Sequence, residues 1–179
     1  MPTPGGGLER QRRGRLELPP RAAGAESGPR EDKVLPRIIV DLPERFLFTT
    51  EIPLYIGHIN YGHHLDNAAL LSLVSEARVR LFKSLGYTEL DVEGLGIIVS
   101  DAAVQYKSEA RHGEVLVFAI AFSDFNKYGC DIVWRAADKE SGREVARGKT
   151  GIVFFDYSRK RMAPVPPPFR NRAEAAGEV

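Results

Sequence analysis

One long amphipathic helix is the feature of this sequence that most limits the folds open to it. Between residues 67 and 85, apolar side chains recur at the spacing of one helix face: Leu70, Val74, Ala77, Leu81 and Leu85. Asp66 or Asn67 can begin the helix as N-cap, and Gly86 can end it in the left-handed conformation. At 1.5 Å per residue the helix is roughly 27 Å long, so the rest of the chain must cover an apolar face of that length.

Runs of β-forming residues on either side of the helix predict an antiparallel sheet. One strand precedes the helix and four follow it, at residues 46–56, 96–107, 114–126, 130–138 and 144–156. Pro53 implies a sheet edge or a bulge in the first strand, because proline cannot donate to the ladder. This order of elements predicts an α+β fold.

The strand predicted at 114–126 is apolar on both faces. Residues 115–122 are apolar at odd and at even positions, whereas a strand with one wet face alternates. The helix can cover one face, and no second long helix is predicted for the other. We therefore expect a second subunit to cover it and the protein to be a homodimer or a dimer of dimers.

Composition excludes several classes of protein. The chain has 179 residues, of which 43% are hydrophobic, and this suits one domain with a real core. The formal net charge is +1 with both signs mixed, so no nucleic-acid partner is expected. Cys130 is the only cysteine, which excludes an intrachain disulfide and fits a cytoplasmic protein. No apolar run reaches the roughly 18 residues of a membrane span.

The two ends of the chain differ in composition from the middle. Residues 1–36 have no aromatic residue and scattered charges, which predicts a disordered extension. They lack the apolar stretch of a secretory signal, and their acidic residues argue against a transit peptide. Residues 164–179 begin with a proline-rich run and are predicted to leave the domain as a polyproline-type tail. The folded domain is expected at residues 37–163.

The loop before the helix is crowded with polar groups. His58, His63 and His64 fall within seven positions, with Asn60 among them and Asp66 just beyond. Such groups destabilise a fold when they are buried without partners, so their density predicts a functional site. The positive end of the helix points back at this loop, where it can polarise a carbonyl oxygen.

The loop and helix resemble a known enzyme family. Residues 62–67 read GHHLDN and residues 76–78 read EAR, where hotdog-fold thioesterases of the 4-hydroxybenzoyl-CoA thioesterase type have "GHxxN" and "ExAR" segments. The resemblance covers roughly residues 46–164. It implies a curved antiparallel sheet wrapped around one long central helix, with the active site between two subunits. It also implies hydrolysis of an acyl-CoA, or another acyl thioester, to the free acid and thiol.

The same resemblance implies catalytic roles. The family's catalytic Asp position falls on Asn60, and an amide cannot act as a general base. His58 stands where the most similar subgroup has Asp, and Asp66 where it has Gly. We therefore expect His64 or Asp66 to supply the base, with Asn60 positioning water or the carbonyl.

Substrate contacts are expected at five positions: His58, Gly62, Asn67, Arg78 and Arg111. Lys83 and Lys107 are further candidates for the CoA phosphates, because they flank the helix and the turn after the second strand. No cofactor is expected. A zinc site formed by His58, His63 and Asp66 stays open as a weak alternative, because spacing within a loop is unspecific.

Simpler roles stay open for several of these residues. Asn60 can close a turn by bonding its own backbone, and Asp66 or Asn67 can serve only as a helix cap. Glu76 is either a catalytic carboxylate or, as we favour, one half of a surface ion pair with Arg80. The fold itself also admits a dehydratase or hydratase acting on acyl thioesters, and a non-catalytic acyl-binding dimer.

Overall fold

The computed structural model describes residues 38–175, and the predicted extension at 1–36 lies outside them. The helices are α1 (Asn67–Ser84) and α2 (Pro167–Ala175), and Ile56–His58 form one 3-10 turn. The strands are β1 (Phe48–Pro53), β2 (Gly96–Tyr106), β3 (Val115–Ser123), β4 (Gly129–Asp138), β5 (Glu144–Asp156) and β6 (Arg161–Met162). The five predicted strands and the predicted helix are confirmed, each boundary within three residues.

The strands form one antiparallel sheet, as predicted. Its order is β1-β3-β4-β5-β2, and the short β6 pairs with β5. Every pairing is antiparallel. β1 and β2 therefore lie at the two edges, and the edge position predicted from Pro53 is confirmed.

α1 begins where it does because Asp66 caps it. The Asp66 Oδ1 atom accepts hydrogen bonds from the N–H groups of Ala68, at 2.8 Å, and Ala69, at 3.1 Å. Gly86 follows the helix with a φ of 82°, the left-handed conformation predicted for it. The helix has 18 residues, and one face of it is buried: Leu70, Leu73, Val74, Ala77, Arg78, Leu81 and Phe82.

The core lies between α1 and one face of the sheet, called the inner face here. Its largest fully buried side chains come from α1, α2 and the three central strands, and they include Phe82, Phe118, Trp134 and Phe154. The sequence predicted an antiparallel sheet packed against one long helix. The structure adds α2 beside it, and the arrangement is consistent with a hotdog fold.

The opposite, outer face is covered in part by residues 38–43 of the same chain. The Gln105 side chain accepts from the Val40 N–H at 3.2 Å and donates to the Ile38 carbonyl. Val40 is 4% exposed, and its neighbours line a cavity with Val133 of β4. The sequence argument assigned this face to a second subunit, and the chain's own segment 38–43 covers part of it.

The interpretation of residues 164–179 as a polyproline-type tail is wrong for its described part. Pro167 and Pro168 occupy the first turn of α2, where a missing N–H removes no intrahelical bond. The next residue, Phe169, is fully buried against the core. The proline run therefore begins a helix that returns to the domain.

Candidate active site

A cavity of about 290 Å³ opens between the start of α1 and the end of β2. The Tyr106 hydroxyl joins the two elements by donating to the Asn67 carbonyl at 3.3 Å. The cavity is lined by residues of the loop before α1, of α1 itself, and of the ends of β2 and β5: His64, Leu65, Asp66, Asn67, Leu70, Tyr106, Lys107, Ser108, Glu109, Ala110 and Val145. Three residues predicted for the site, His64, Asp66 and Asn67, thus share one cavity.

Residues 60–64 form the tight turn that presents His64. The Asn60 N–H donates to the His64 carbonyl at 2.9 Å, and the His63 N–H donates to the Asn60 carbonyl at 3.0 Å. The Asn60 Oδ1 atom accepts from the Gly62 N–H at 2.8 Å. This confirms that Asn60 closes a turn by bonding nearby backbone.

The ring of His64 is held through its Nδ1 atom. Nδ1 lies 3.2 Å from the Leu65 carbonyl oxygen and 3.4 Å from the Asn60 side-chain nitrogen. We assign the hydrogen to Nδ1 on the shorter contact, so that it donates to the Leu65 carbonyl and leaves a lone pair on Nε2. In this tautomer Nε2 can accept a proton.

Gly62 leaves room for that ring. A Cβ atom on Gly62 would lie 2.8 Å from His64 Nε2 and 3.2 Å from Asn60 Oδ1. Any larger residue would therefore push the imidazole from its position. The structure gives Gly62 a steric reason to be glycine, whereas the sequence argument assigned it to substrate binding.

The backbone N–H groups of the first turn of α1 lie at the helix start, where Asp66 and Asn67 line the cavity. The Ala68 and Ala69 N–H groups are satisfied by the Asp66 carboxylate, which confirms the capping role of Asp66. No acceptor within residues 38–175 takes the N–H of Asn67. That N–H sits at the positive end of the helix, where a carbonyl oxygen that develops charge is stabilised.

Four of the five predicted substrate-binding residues do not line this cavity: Gly62, described above, and His58, Arg78 and Arg111. His58 Nδ1 accepts from the Tyr55 N–H at 3.1 Å, so its ring supports the loop backbone. Arg78 is buried and pairs with Glu89. Arg111 is exposed and pairs at 3.0 Å with Glu109, a residue that does line the cavity.

Glu76 forms the surface ion pair that the sequence favoured. Its carboxylate lies 2.7 Å from Arg80 on the exposed side of α1. Within residues 38–175, no three His, Cys, Asp or Glu side chains are placed to hold a metal ion. Over the same part of the chain, no helix is both long enough and apolar enough to cross a membrane.

Sequence reasoning missed the residues that the sheet brings to the cavity. Tyr106, Ser108, Glu109 and Val145 come from the ends of β2 and β5. The polar run that ends the second predicted strand was a signal for them, but only the folded structure shows that this end lies beside the start of α1. Lys107, a cation candidate for CoA, does line the cavity.

The sequence model of the thioesterase-like superfamily matches residues 55–173, which is more than half of the chain. The chain belongs to this superfamily. The match includes the whole loop, α1, most of α2 and all strands except β1.

Solved structures share the fold. A thioesterase from Thermus thermophilus, complexed with coenzyme A and Zn, is 20% identical over 76% of this chain and 99% of its own, with a TM-score of 0.66. A 1,4-dihydroxy-2-naphthoyl-CoA thioesterase from Synechocystis is 18% identical over 70% and 94%, with a TM-score of 0.64. The PA2801 protein from Pseudomonas aeruginosa is 23% identical over 71% and 98%, with a TM-score of 0.65. Together with the superfamily match, these structures support thioester hydrolysis as the general chemistry.

Proposed function

We propose that this protein hydrolyses acyl-CoA thioesters in the cavity at the start of α1. The observation that carries the proposal is that the His64 ring and the N-terminal turn of α1 line the same cavity. The ring supplies a proton acceptor, and the helix supplies a donor for the carbonyl oxygen. CoA is the proposed thiol, because one similar structure contains it and Lys107 is a cation at the cavity.

In the proposed reaction, His64 Nε2 removes a proton from a water molecule whose oxygen attacks the thioester carbonyl. The carbonyl oxygen becomes negative, and the Asn67 N–H at the positive end of α1 donates to it. The tetrahedral intermediate then collapses as its carbon–sulfur bond breaks. The protonated His64 returns its proton to the departing thiolate, and the products are a free acid and a thiol.

The remaining site residues act in support. Asn60 closes the turn that presents His64, and Asp66 fixes the start of α1. Lys107 lines the cavity and Arg111 is exposed beside it, so these two residues are the cations we propose for the CoA phosphates. Arg78 is omitted from this role, because it is buried as well as paired with Glu89.

We further propose the full hotdog arrangement, in which the sheet curves around α1 and joins the sheet of a second subunit. β2 supports this proposal, because it pairs with β5 on one side only and runs for 11 residues. Ile98 and Val99 on β2 are 37% and 44% exposed, and a long apolar edge is a template for pairing. Light scattering at micromolar concentration should give a dimer or tetramer, and a Val99→Lys variant should shift it toward monomer.

The activity is tested by free-thiol release from a panel of short, long and aromatic acyl-CoAs. Release of thiol supports the proposal. Absorbance of an enoyl-CoA formed without thiol release would instead identify a dehydratase. Tight binding of acyl-CoA without turnover would identify an acyl-binding protein.

The role of His64 is tested by a matched pair of histidine variants. His64→Ala should lower kcat at least about a hundredfold, the usual scale for loss of a general base. His112→Ala is the control, because His112 is exposed and does not line the cavity. Equal kcat values in both variants would reject His64 as the base.

A further inference from the structure

The inner face of the sheet below the cavity is built in rows of side chains that cross the strands. Tyr106, Ala146 and Ala136 form the cavity side of the first row, and Phe118 of β3 continues it, because β2, β5, β4 and β3 pair at these positions. Tyr106 lines the cavity, and both alanines are fully buried. Two neighbouring alanines make this row shallow, so the cavity can extend inward across it more easily than across larger side chains.

The next row inward blocks that path. It consists of Val104, Gly148 and Trp134, which are paired with one another across the strands. Each lies two residues along its strand from a member of the first row, so the two rows are roughly 7 Å apart. Trp134 is 1% exposed. Its ring lies over Gly148, where a Cβ atom would overlap it. The indole thus fills the side-chain space of two strands.

The indole N–H of Trp134 is buried and has no acceptor within residues 38–175. Buried tryptophan N–H groups usually have one, because an unmet donor in the interior destabilises the fold. The Trp134 N–H lies one row inward from the cavity, so a ligand that reaches it with an oxygen acceptor would gain a hydrogen bond there.

We propose that Trp134 forms the inner end of the acyl pocket and selects short acyl groups that carry an oxygen atom near their far end. The proposal rests on the proposed function and specifies its substrate class. The ring limits the length of the acyl group, and the N–H group favours the oxygen. Trp134 is therefore a specificity-determining residue with no part in the proton transfers.

Binding to this pocket can be followed without turnover. Trp134 is the only tryptophan of the chain, so its fluorescence reports on the inner end of the pocket. The probes are S-alkyl-CoA thioethers, which have no thioester bond to hydrolyse, with alkyl groups from ethyl to hexadecyl. CoA alone is the control. Short thioethers, and most of all those ending in a hydroxyl group, should change the emission, whereas CoA should not. An unchanged emission with thioethers that calorimetry shows to bind would overturn the proposal.

Substitutions separate the ring from its N–H group. Trp134→Leu should move the optimum of kcat/KM to longer acyl groups. Trp134→Phe keeps a ring but removes the donor, so the preference for hydroxyacyl over acyl substrates should fall roughly fivefold, the scale of one neutral hydrogen bond. Phe154→Leu is the control, because Phe154 is a buried aromatic residue that packs against Phe169 in α2. Folding of each variant is checked by circular dichroism.

Phe154→Leu should lose stability and keep the wild-type substrate profile. A folded Trp134→Leu variant whose kcat/KM depends on acyl length as in wild type would overturn the pocket assignment. A folded Trp134→Phe variant that keeps the wild-type preference for hydroxyacyl over acyl substrates would overturn it too. The proposed function fails separately: a wild-type protein that releases no thiol, yet changes its emission with short thioethers, refutes hydrolysis and keeps the pocket.

Discussion

The ring of Phe169 lies parallel to the ring of Phe82, with an interplanar angle of 3° and centroids 5.8 Å apart. Phe169 belongs to α2 and Phe82 to α1, so this stack joins the end of the described chain to the long helix. Arg172, one turn further along α2, donates to the Leu85 carbonyl at 2.7 Å at the end of α1. α2 therefore closes the end of the core that lies opposite the cavity.

We expect Phe169→Ala to destabilise the protein strongly. Phe169 is fully buried, and removing a buried phenylalanine ring costs about 3–5 kcal/mol. Asn171→Ala is the matched control, because Asn171 is exposed in the same helix and its loss should stay within about 0.5 kcal/mol. Urea unfolding measures both, and similar midpoints for the two variants would show that α2 is not part of the cooperative core.

Local pattern was enough to predict α1 and the five long strands. The 3.6-residue spacing from Leu70 to Leu81 and the cap at Asp66 are properties of neighbouring residues, so they are visible in sequence. α2 was missed because its stability comes from distant partners. Phe169 packs against rings of α1, β3 and β5 that the sequence does not connect to it.

The residues of the candidate site were likewise predicted where the signal was local and missed where it was not. His64, Asp66 and Asn67 were found because they lie in one loop and at one helix end. Tyr106 and Val145 reach the cavity only through the pairing of β2 with β5, and that register is not encoded in any short segment.

We expect Gly62→Ala to lower kcat without unfolding the protein. The new Cβ would lie 2.8 Å from His64 Nε2, so the ring must shift, and a shift of about 1 Å costs roughly a hundredfold in rate. Gly57→Ala is the control, because no atom lies within 4 Å of the Cβ it would add. Thiol-release kinetics with matched melting curves measure the pair, and a Gly62→Ala enzyme as fast as Gly57→Ala would show that the His64 ring position does not matter.

Asp66 should be needed for its hydrogen bonds and not for its charge. Asp66→Asn keeps a side-chain oxygen for the Ala68 and Ala69 N–H groups, so stability and kcat should both stay close to wild type. Asp66→Ala removes the cap and should cost about 1 kcal/mol. Denaturant unfolding and thiol release compare the two. A large loss of kcat in a stable Asp66→Asn protein would make Asp66 the base in place of His64.

The turn between β4 and β5 should contribute stability that depends on pH. Hydrogen bonds from the Ser141 hydroxyl and the Ser141 N–H, the latter at 2.9 Å, lower the pKa of Asp138 below its usual value. A carboxylate whose folded-state pKa is lowered stabilises the protein above the unfolded pKa of about 3.9, and this stabilisation is lost as pH falls through the folded-state pKa. Asp138→Asn should therefore lower Tm at pH 7, and its difference from wild type should shrink as pH falls below about 4.

Glu140→Gln is the control in the same turn, because the Glu140 side chain is exposed. The Tm of this variant should follow wild type at every pH. Thermal melts from neutral pH into the acid range measure all three proteins, and a Tm difference for Asp138→Asn that does not change with pH would contradict the assignment.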